Sequence, residues 1–257
     1  MTSDGAPWTL SRDDIDVAAV RRRAAKPDVA VIIPAKNEST TLGAVIDAVT
    51  HDQMVTDVLV VDDHSSDDTA SVALHHGART LELEGPSGKG EALNAGLRAT
   101  SADIVVFLDA DVINPGTDYV ARMVYPLLQR PDIHLVKGYY VRPLHDMPSG
   151  GGRVNELAAR PILSLIYPGL GEIRQPLAGE TAARREVLEA LPLESSYGVE
   201  IALLIDVALK FGVGSLSQVD LGIRRHRNRP LEELRPMAVQ VLRAALERFG
   251  VDLPDPH

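Results

Sequence analysis

IVVFLDAD, residues 104–111, is an apolar run that ends in two carboxylates, Asp109 and Asp111. Five apolar residues bounded by charge predict a buried strand of a parallel sheet. Open α/β sheets bind their ligands at the carboxyl ends of such strands. Carboxylate oxygens suit a hard divalent cation, and Mg²⁺ commonly takes one or two of them together with substrate phosphates. The stretch therefore indicates a metal that holds a nucleotide diphosphate, although an isolated Asp-x-Asp would equally fit a helix cap beside a solvated Asp.

Strands and helices alternate on the amino-terminal side of this stretch. We predict strands at 29–33, 58–61 and 79–83, with helices at 41–50, 67–76 and 91–99. Such alternation with short connections predicts a doubly wound, mostly parallel α/β sheet. Beyond residue 111 we predict helices at 119–128, 154–166, 184–191, 199–211 and 231–249, a strand at 134–141 and a Pro- and Gly-rich loop at 143–152.

These elements predict a single domain around a continuous sheet. We expect an amino-terminal arm at residues 1–27 with a helix at 13–25, a nucleotide-binding half at 28–112, and an acceptor-binding half at 113–257 that ends in a helix.

The composition excludes several classes of protein. The 257-residue chain has a formal net charge of −10 at pH 7, whereas general binding of nucleic acid or of a membrane surface needs a basic protein. The chain contains no Cys, so any metal must be bound by Asp, Glu or His. We find neither an apolar stretch of transmembrane length nor a signal-peptide pattern, and we expect a cytoplasmic protein.

Three polar loops follow the predicted strands at the same edge of the sheet. Residues 34–38 (PAKNE) could offer a carboxylate to a ribose or a base edge, or could be a simple turn. Residues 62–67 (DDHSSD) contain a helix-capping pattern. Capping explains Asp62 and Asp63 poorly, and contact with a nucleoside explains these two residues better. Residues 88–90 (GKG) place Lys89 where it can neutralise phosphate, although the loop lacks the spacing of a Walker A motif.

Two further segments indicate anion binding. Residues 150–155 (GGGRVN) combine glycines, an Arg and a helix start, which together form a natural anion site, the alternative being a flexible loop with a surface Arg. Residues 224–230 (RRHRNRP) are the densest basic cluster of an acidic chain, and His226 can complete a metal site whose other ligand is a carboxylate. Glu200, in the first turn of a predicted helix, would not by itself rank as catalytic.

In order along the chain, the motifs PAKNE, VVDDHSSDDT, GKGEALN, FLDAD, GGGRVNEL, QPLAGE, YGVEIALLID and HRNRPLEEL resemble the actinobacterial glucosyl-3-phosphoglycerate synthases. These are retaining GT-A glycosyltransferases of family 81, related to the mannosyl-3-phosphoglycerate synthases. The first four motifs occur in many GT-A enzymes, whereas the last four are particular to this family. The resemblance covers residues 29–250 and implies a GT-A fold with a Rossmann-like nucleotide-binding half.

The resemblance also implies an activity and a set of site residues. A Mg²⁺-dependent enzyme, with Mn²⁺ as the alternative metal, would transfer glucose with retention from UDP-glucose or another NDP-hexose to the 2-hydroxyl of 3-phosphoglycerate. The implied donor-binding residues are Pro34, Ala35, Asn37, Glu38, Asp63, Ser65, Lys89, Asp109, Ala110 and Asp111. The implied acceptor-binding residues are Gly152, Arg153, Asn155, Asn228 and Arg229. The implied metal ligands are Asp111 and His226, and the implied catalytic residues are Glu200, Asp109 and Arg224. A homodimer is the assembly that the resemblance implies.

Several alternatives stay open at this point. The family usually has Thr where this chain has Asn155, and an apolar residue where it has Lys36, so a mannosyl-3-phosphoglycerate synthase or a cousin acting on another phosphorylated hydroxy acid fits as well. An inverting family 2 glycosyltransferase would want a catalytic Asp after the acceptor loop and often an apolar tail. A sugar-1-phosphate nucleotidyltransferase would need a Gly-rich loop with Arg and Lys straight after the first strand. A catalytically dead nucleotide-sugar sensor would not need Asp109, Asp111, Glu200 and His226 intact.

Overall fold

A computed structural model describes residues 5–23, 27–144, 147–150, 152–225 and 230–254. The strands in these ranges are β1 (Trp8–Leu10), β2 (Val29–Ala35), β3 (Val55–Asp62), β4 (Arg79–Glu82), β5 (Ile104–Phe107), β6 (Leu135–Val141), β7 (Pro143–Leu144), β8 (Met147–Gly150), β9 (Thr181–Arg184) and β10 (Leu216–Ile223). Eight of them form one sheet in the order β1-β10-β6-β9-β5-β2-β3-β4, and β7 pairs with β8 in a separate hairpin. Within the large sheet β9 runs antiparallel to both β5 and β6, and the other neighbours are parallel.

The helices connect these strands across both faces of the sheet. They are α1 (Val17–Arg21), α2 (Leu42–Thr50), α3 (Thr69–His75), α4 (Lys89–Arg98), α5 (Tyr119–Gln129), α6 (Arg160–Ile166), α7 (Arg185–Glu189), α8 (Val199–Phe211) and α9 (Leu231–Arg248). A π-helical turn at Asn155–Ala159 leads directly into α6.

The apolar core lies in two layers, one on each face of the sheet. Ile104 and Val106 of β5 face the layer that contains α2 and α5, whereas Val105 and Phe107 face the layer that contains α4 and α8. Successive side chains of a strand point to opposite faces. A strand that is covered on both sides must therefore be apolar at every position, which explains the uninterrupted run at residues 104–108.

The predicted mostly parallel α/β sheet is confirmed, and the structure adds strands that the sequence did not reveal. Residues 8–10, assigned to a loose arm, form the edge strand β1, and β9 and β10 were not predicted. The helix expected at 13–25 is confined to Val17–Arg21 in the described residues. The division into two halves at residue 112 stays a prediction.

Strand β2 continues through Pro34, where the sequence predicted a stop. The pairing of β2 with β5 ends at Ile32, whereas its pairing with β3 continues to Ala35. Residues two apart along a strand direct their backbone groups to the same neighbouring strand. Ile32 accepts a hydrogen bond from the Leu108 N–H, just beyond β5, so the backbone of Pro34 also faces the β5 side, where the pairing has already ended. Its missing N–H therefore removes no bond of the sheet.

Candidate active site

A pocket of about 230 Å³ lies beyond the carboxyl ends of β2, β3 and β5. Its wall contains most of the residues that the sequence selected. These are Pro34, Ala35, Glu38, Asp63, Lys89, Asp109, Ala110, Asp111, Gly152, Arg153, Asn155 and Glu200. Residues that are up to 166 positions apart in sequence, from Pro34 to Glu200, thus meet at one place. The parallel strands β2, β3 and β5 end at this edge, and the first turn of α8 brings Glu200 to it.

Asn37 and Ser65 join the two loops beside the pocket. The backbone N–H of Asn37 donates to the Ser65 hydroxyl over 3.0 Å, and the Asn37 side-chain oxygen accepts from the Ser66 backbone N–H over 2.8 Å. Asn37 and His64 both have a left-handed backbone, with φ of 55° and 57°. Such conformations persist only where neighbouring contacts hold them. Their observed contacts make Asn37 and Ser65 loop-fastening residues, and direct contact with a nucleotide stays a prediction for both.

Lys36 and Ser87 connect the loop after β2 with the Gly-rich loop before α4. Ser87 donates its hydroxyl to Asp63 Oδ2 over 2.8 Å, and Lys36 Nζ donates to the Ser87 oxygen over 2.8 Å. Lys36 Nζ is also 3.8 Å from Asp63 Oδ2. The charge that Lys36 adds is thus engaged with a carboxylate of the pocket wall.

Lys89 joins the two carboxylates at the floor of the pocket. Its Nζ lies 2.6 Å from Asp109 Oδ1 and also contacts Glu200 Oε1. Burial acts to lower the pKa of Lys89, but the carboxylates of Asp109 and Glu200 outweigh it and hold that pKa well above its ordinary value. Lys89, which is the first residue of α4, is therefore a permanent cation at this point.

Arg224 lies behind the pocket and is completely buried. Its guanidinium lies 3.1 Å from Asp109 Oδ2 and 3.6 Å from Asp111 Oδ1, and it forms an ion pair with the buried Glu180. Its Nη1 also donates to the Tyr140 hydroxyl over 3.1 Å. Burial raises the pKa of Glu180 above its ordinary value, with the Arg224 cation opposing that rise. Arg224, which the sequence predicted as catalytic, therefore contacts the Asp109 and Asp111 carboxylates from a fully buried position.

The acceptor side of the pocket is built around the start of the π-helical turn. Gly152 has a left-handed φ of 73°, which lets the chain turn into the helix that holds Arg153. Arg142, which the sequence analysis did not select, lines the same wall as Arg153. Two guanidinium groups on one wall suit an acceptor with phosphate or carboxylate groups.

Asn155 is engaged by the protein as well as lining the pocket. Its side-chain nitrogen donates to the Arg174 carbonyl over 3.3 Å and to Glu156 Oε1 over 2.9 Å, and its oxygen accepts from the Leu177 backbone N–H over 3.4 Å. In this structure the amide therefore fastens the π-helical turn to residues 174–177, and its predicted contact with an acceptor stays untested.

The predicted metal site is visible in part. Asp111 lines the pocket with a side chain that is 26% exposed, which places a carboxylate in the wall where a diphosphate would supply further oxygens. No group of three or more His, Asp or Glu side chains that could hold a metal occurs among the described residues. The proposed second ligand His226 lies outside them, as do Asn228 and Arg229. The hard-oxygen donor that is present fits Mg²⁺ or Mn²⁺.

The residues in or beside the site that escaped the sequence analysis include four polar or charged ones: Lys137, Tyr140, Arg142 and Glu180. Three of them belong to β6 or follow it directly, and Glu180 lies in the motif QPLAGE, which was noted without a role. A charged residue inside an apolar strand pattern ordinarily indicates a solvated face. Only the pairing of β6 with β9 and β10 buries Lys137, whose Nζ donates to the Ala178 carbonyl and to the Thr181 hydroxyl oxygen.

Comparison with known proteins places the chain in a family. The sequence model of Glycosyl transferase family 2 matches residues 30–147. Glucosyl-3-phosphoglycerate synthase of Mycobacterium tuberculosis is 47% identical over 260 residues, covering 95% of this chain and 78% of the relative. The chain belongs to the glucosyl-3-phosphoglycerate synthase family. The Petrotoga mobilis member of this family is 42% identical over 237 residues, covering 86% of this chain and 73% of the relative.

Solved structures of the family agree with the fold. The M. tuberculosis synthase in complex with Mn²⁺, UDP-glucose and phosphoglyceric acid has a TM-score of 0.88 at 42% identity, covering 97% of this chain and 89% of that one. The same enzyme in complex with Mg²⁺ and UDP also has a TM-score of 0.88, at 43% identity, covering 97% of this chain and 88% of that one. The GT-A fold that the motifs implied is thereby confirmed.

Proposed function

We propose that this chain is a metal-dependent glycosyltransferase that moves glucose from UDP-glucose to the 2-hydroxyl of 3-phosphoglycerate. The observation that supports this most strongly is that one pocket is lined by two kinds of charged group. Its wall contains the carboxylates of Asp109, Asp111 and Glu200, and it also contains the guanidinium groups of Arg142 and Arg153. A nucleotide diphosphate with its metal fits the first group, and a phosphorylated hydroxy acid fits the second.

The nucleoside of the donor is held by residues at the ends of two neighbouring strands. Pro34 and Ala35 end β2, Glu38 lies in the loop beyond it, and Asp63 directly follows β3. A divalent ion held by Asp111 and His226 would stabilise the negative charge that grows on the departing diphosphate. Lys89 and Arg224 add fixed positive charge close to the same atoms. Such preorganised electrostatics commonly contributes most to catalysis.

The acceptor binds through its charged groups, which leaves its hydroxyl free to react. Arg153 and Arg142 hold the phosphate and carboxylate, with Asn228 and Arg229 as further proposed contacts. The hydroxyl attacks the anomeric carbon from the face that the diphosphate leaves. One C–O bond to the acceptor forms, the C–O bond to the diphosphate breaks, and a departing phosphate oxygen takes the hydroxyl proton.

This front-face route gives retention without a glycosyl-enzyme adduct. The carboxylates nearest the sugar site, Asp109 and Glu200, are both paired with the Lys89 cation, which lowers their nucleophilicity. Retaining enzymes that form an adduct need a carboxylate nucleophile beneath the sugar. Mass-spectrometric detection of a covalent glucosyl adduct on Glu200 would contradict the route.

Measuring UDP release with and without 3-phosphoglycerate tests the activity. We expect rapid release only with both substrates and Mg²⁺ or Mn²⁺, abolished by EDTA and by Asp111→Asn. Asp132→Asn is the matched control, because Asp132 is an exposed partner of Arg130 far from the pocket wall. Absence of acceptor-dependent UDP release from the wild-type protein would contradict the proposal.

The same assay separates the competing functions. A GDP-mannose preference would indicate a mannosyl-3-phosphoglycerate synthase, and a product of inverted anomeric configuration by NMR would indicate an inverting family 2 enzyme. A homodimer is proposed from the resemblance, and light scattering in solution tests it. A cytoplasmic location stays the prediction made from the sequence. Within the described ranges, no helix has both the length and the apolar content that crossing a membrane requires.

A further inference from the structure

Lys137, in the middle of β6, is a buried cation that the proposed reaction does not use. Only 1% of the residue is exposed, and it is among the largest fully buried side chains of the described residues. Its Nζ donates to the Ala178 carbonyl over 2.5 Å and to the Thr181 hydroxyl oxygen over 2.9 Å. Both partners belong to the segment 177–181, whose first residue, Leu177, lines the pocket.

Burying an ammonium group costs stability unless its surroundings compensate for the lost water. Burial lowers the pKa of Lys137 to about 8, even though the Glu200 carboxylate opposes that change. The charged groups that face Lys137 come from four elements: Glu200 from α8, Lys89 from α4, Glu180 from the segment before β9, and Asp109 from the end of β5. A side chain that destabilises the fold in this way is commonly retained for function.

Three residues of the segment that Lys137 holds lie in or beside the site. Leu177 lines the pocket. Gly179 lies so close to Asp109 that a side chain there would collide with the carboxylate. Glu180 pairs with Arg224, which in turn contacts Asp109 and Asp111. A small displacement of residues 177–181 would therefore move Asp109 and Arg224 together.

We propose that Lys137 is a positioning residue that fixes segment 177–181 against the donor site and so sets the geometry of Asp109 and Arg224. This inference rests on the proposed function. It assigns Lys137 to the turnover step and not to the overall stability of the sheet.

Lys137→Met tests the inference, because Met is similar in length and has no charge and no donor. We expect kcat to fall about 100-fold, the loss that a 1 Å misplacement near the reacting atoms can cause. The KM values for UDP-glucose and 3-phosphoglycerate should stay close to those of the wild type. The unfolding midpoint should not fall, because the Thr181 hydroxyl lies 3.3 Å from the Ala178 carbonyl and can donate to it when Lys137 is gone.

Lys210→Met is the matched control. Lys210 also donates to a backbone carbonyl, that of Ala190 over 2.9 Å, but it does so at the surface on α8. The control should keep the wild-type kcat. A folded Lys137→Met protein with wild-type kcat would overturn the inference.

A second pair of variants decides the matter if Lys137→Met does not fold. Thr181→Val keeps the cation but removes one of its partners, and Thr181→Ser keeps that partner. We expect Thr181→Val to have a lower kcat than the wild type and Thr181→Ser to keep the wild-type kcat. Equal kcat values for the two variants would overturn the inference. The wild-type assay separates the two proposals, since a wild type that does not use these substrates contradicts the proposed function, whereas active wild type with unaffected variants contradicts only the role of Lys137.

Discussion

Gly179 shows how closely the backbone approaches the reacting groups. A Cβ at this position would collide with all three atoms of the Asp109 carboxylate group. Asp109 cannot retreat without losing Lys89 on one oxygen and Arg224 on the other. The absence of a side chain at residue 179 therefore determines where the Asp109 carboxylate lies.

Gly179→Ala should consequently lower kcat by about 100-fold, because the displaced carboxylate no longer meets the donor correctly. Gly171→Ala is the control, since its Cβ would meet the Ser164 hydroxyl at 3.2 Å and the Pro168 carbonyl at 3.3 Å, away from the pocket wall. Steady-state kinetics with both substrates checks the expectation. A Gly179→Ala enzyme as active as Gly171→Ala would show that the site tolerates movement of Asp109.

Single residues also mark the limit of prediction from the sequence. Asp109, Asp111 and Lys89 could be selected because strand ends and Gly-rich loops indicate ligand binding whatever the rest of the chain does. Glu180 and Lys137 could not, because their meaning depends on burial. An isolated charge in a sequence ordinarily indicates solvent, and only the assembled sheet shows that these charges are enclosed beside Arg224 and the 177–181 segment.

Among the elements, the helix start at Gly152–Asn155 has the clearest expected consequence. Arg153 lines the acceptor wall, whereas Arg160, one element later, pairs with Glu156 over 2.8 Å at the surface. Arg153→Ala should raise the KM for 3-phosphoglycerate on the order of 10- to 100-fold, the loss expected for a hydrogen bond to a charged group. The KM for UDP-glucose should change little.

Arg160→Ala is the matched control, because an exposed pair of this spacing contributes only a few tenths of a kcal/mol. Initial rates over a matrix of donor and acceptor concentrations provide both KM values. An unchanged acceptor KM for Arg153→Ala would count against the proposed acceptor wall.

The strands that the sequence did not reveal have a common physical reason. β10 buries Ser217 and Gln218, whose side chains bond to the Trp8 carbonyl and the Thr9 hydroxyl of β1, and these polar residues interrupt the apolar pattern. β9 has only four residues, Thr181–Arg184, with small Ala side chains at its centre. Neither segment has the apolar periodicity from which strands are predicted, since their stability comes from neighbours distant in sequence.

At the scale of the whole molecule, the sheet concentrates charge on one side of the pocket floor. Lys89, Lys137 and Arg224 lie among Asp109, Glu180 and Glu200, and all six are at most about one-fifth exposed in their side chains or are buried. Enclosed charges interact strongly because little water screens them. The folded state therefore tolerates the unfavourable burial of the Lys137 ammonium group at this point. Its stability should depend on pH because Lys137 loses its proton more readily in the folded protein.

The sign of that dependence follows from the direction of the pKa shift. Burial lowers the pKa of Lys137 from the ordinary 10.5 to about 8. Between these values the unfolded chain binds a proton that the folded protein does not, so folding becomes more favourable as the pH rises. The penalty is fully present below pH 8 and amounts to about 3 kcal/mol, since one pKa unit corresponds to about 1.4 kcal/mol.

Lys137→Met removes this penalty, and its unfolding free energy relative to the wild type should therefore be most favourable at pH 7 and should decline between pH 8 and pH 10. Denaturant unfolding of both proteins at these pH values measures the difference, with Lys210→Met as the control for loss of one surface cation. Because the shared titrations of the other groups cancel in the difference, a difference that is constant with pH would mean that Lys137 keeps its proton in the folded state. The neighbouring carboxylates of Glu200, Glu180 and Asp109 would then compensate fully for its burial.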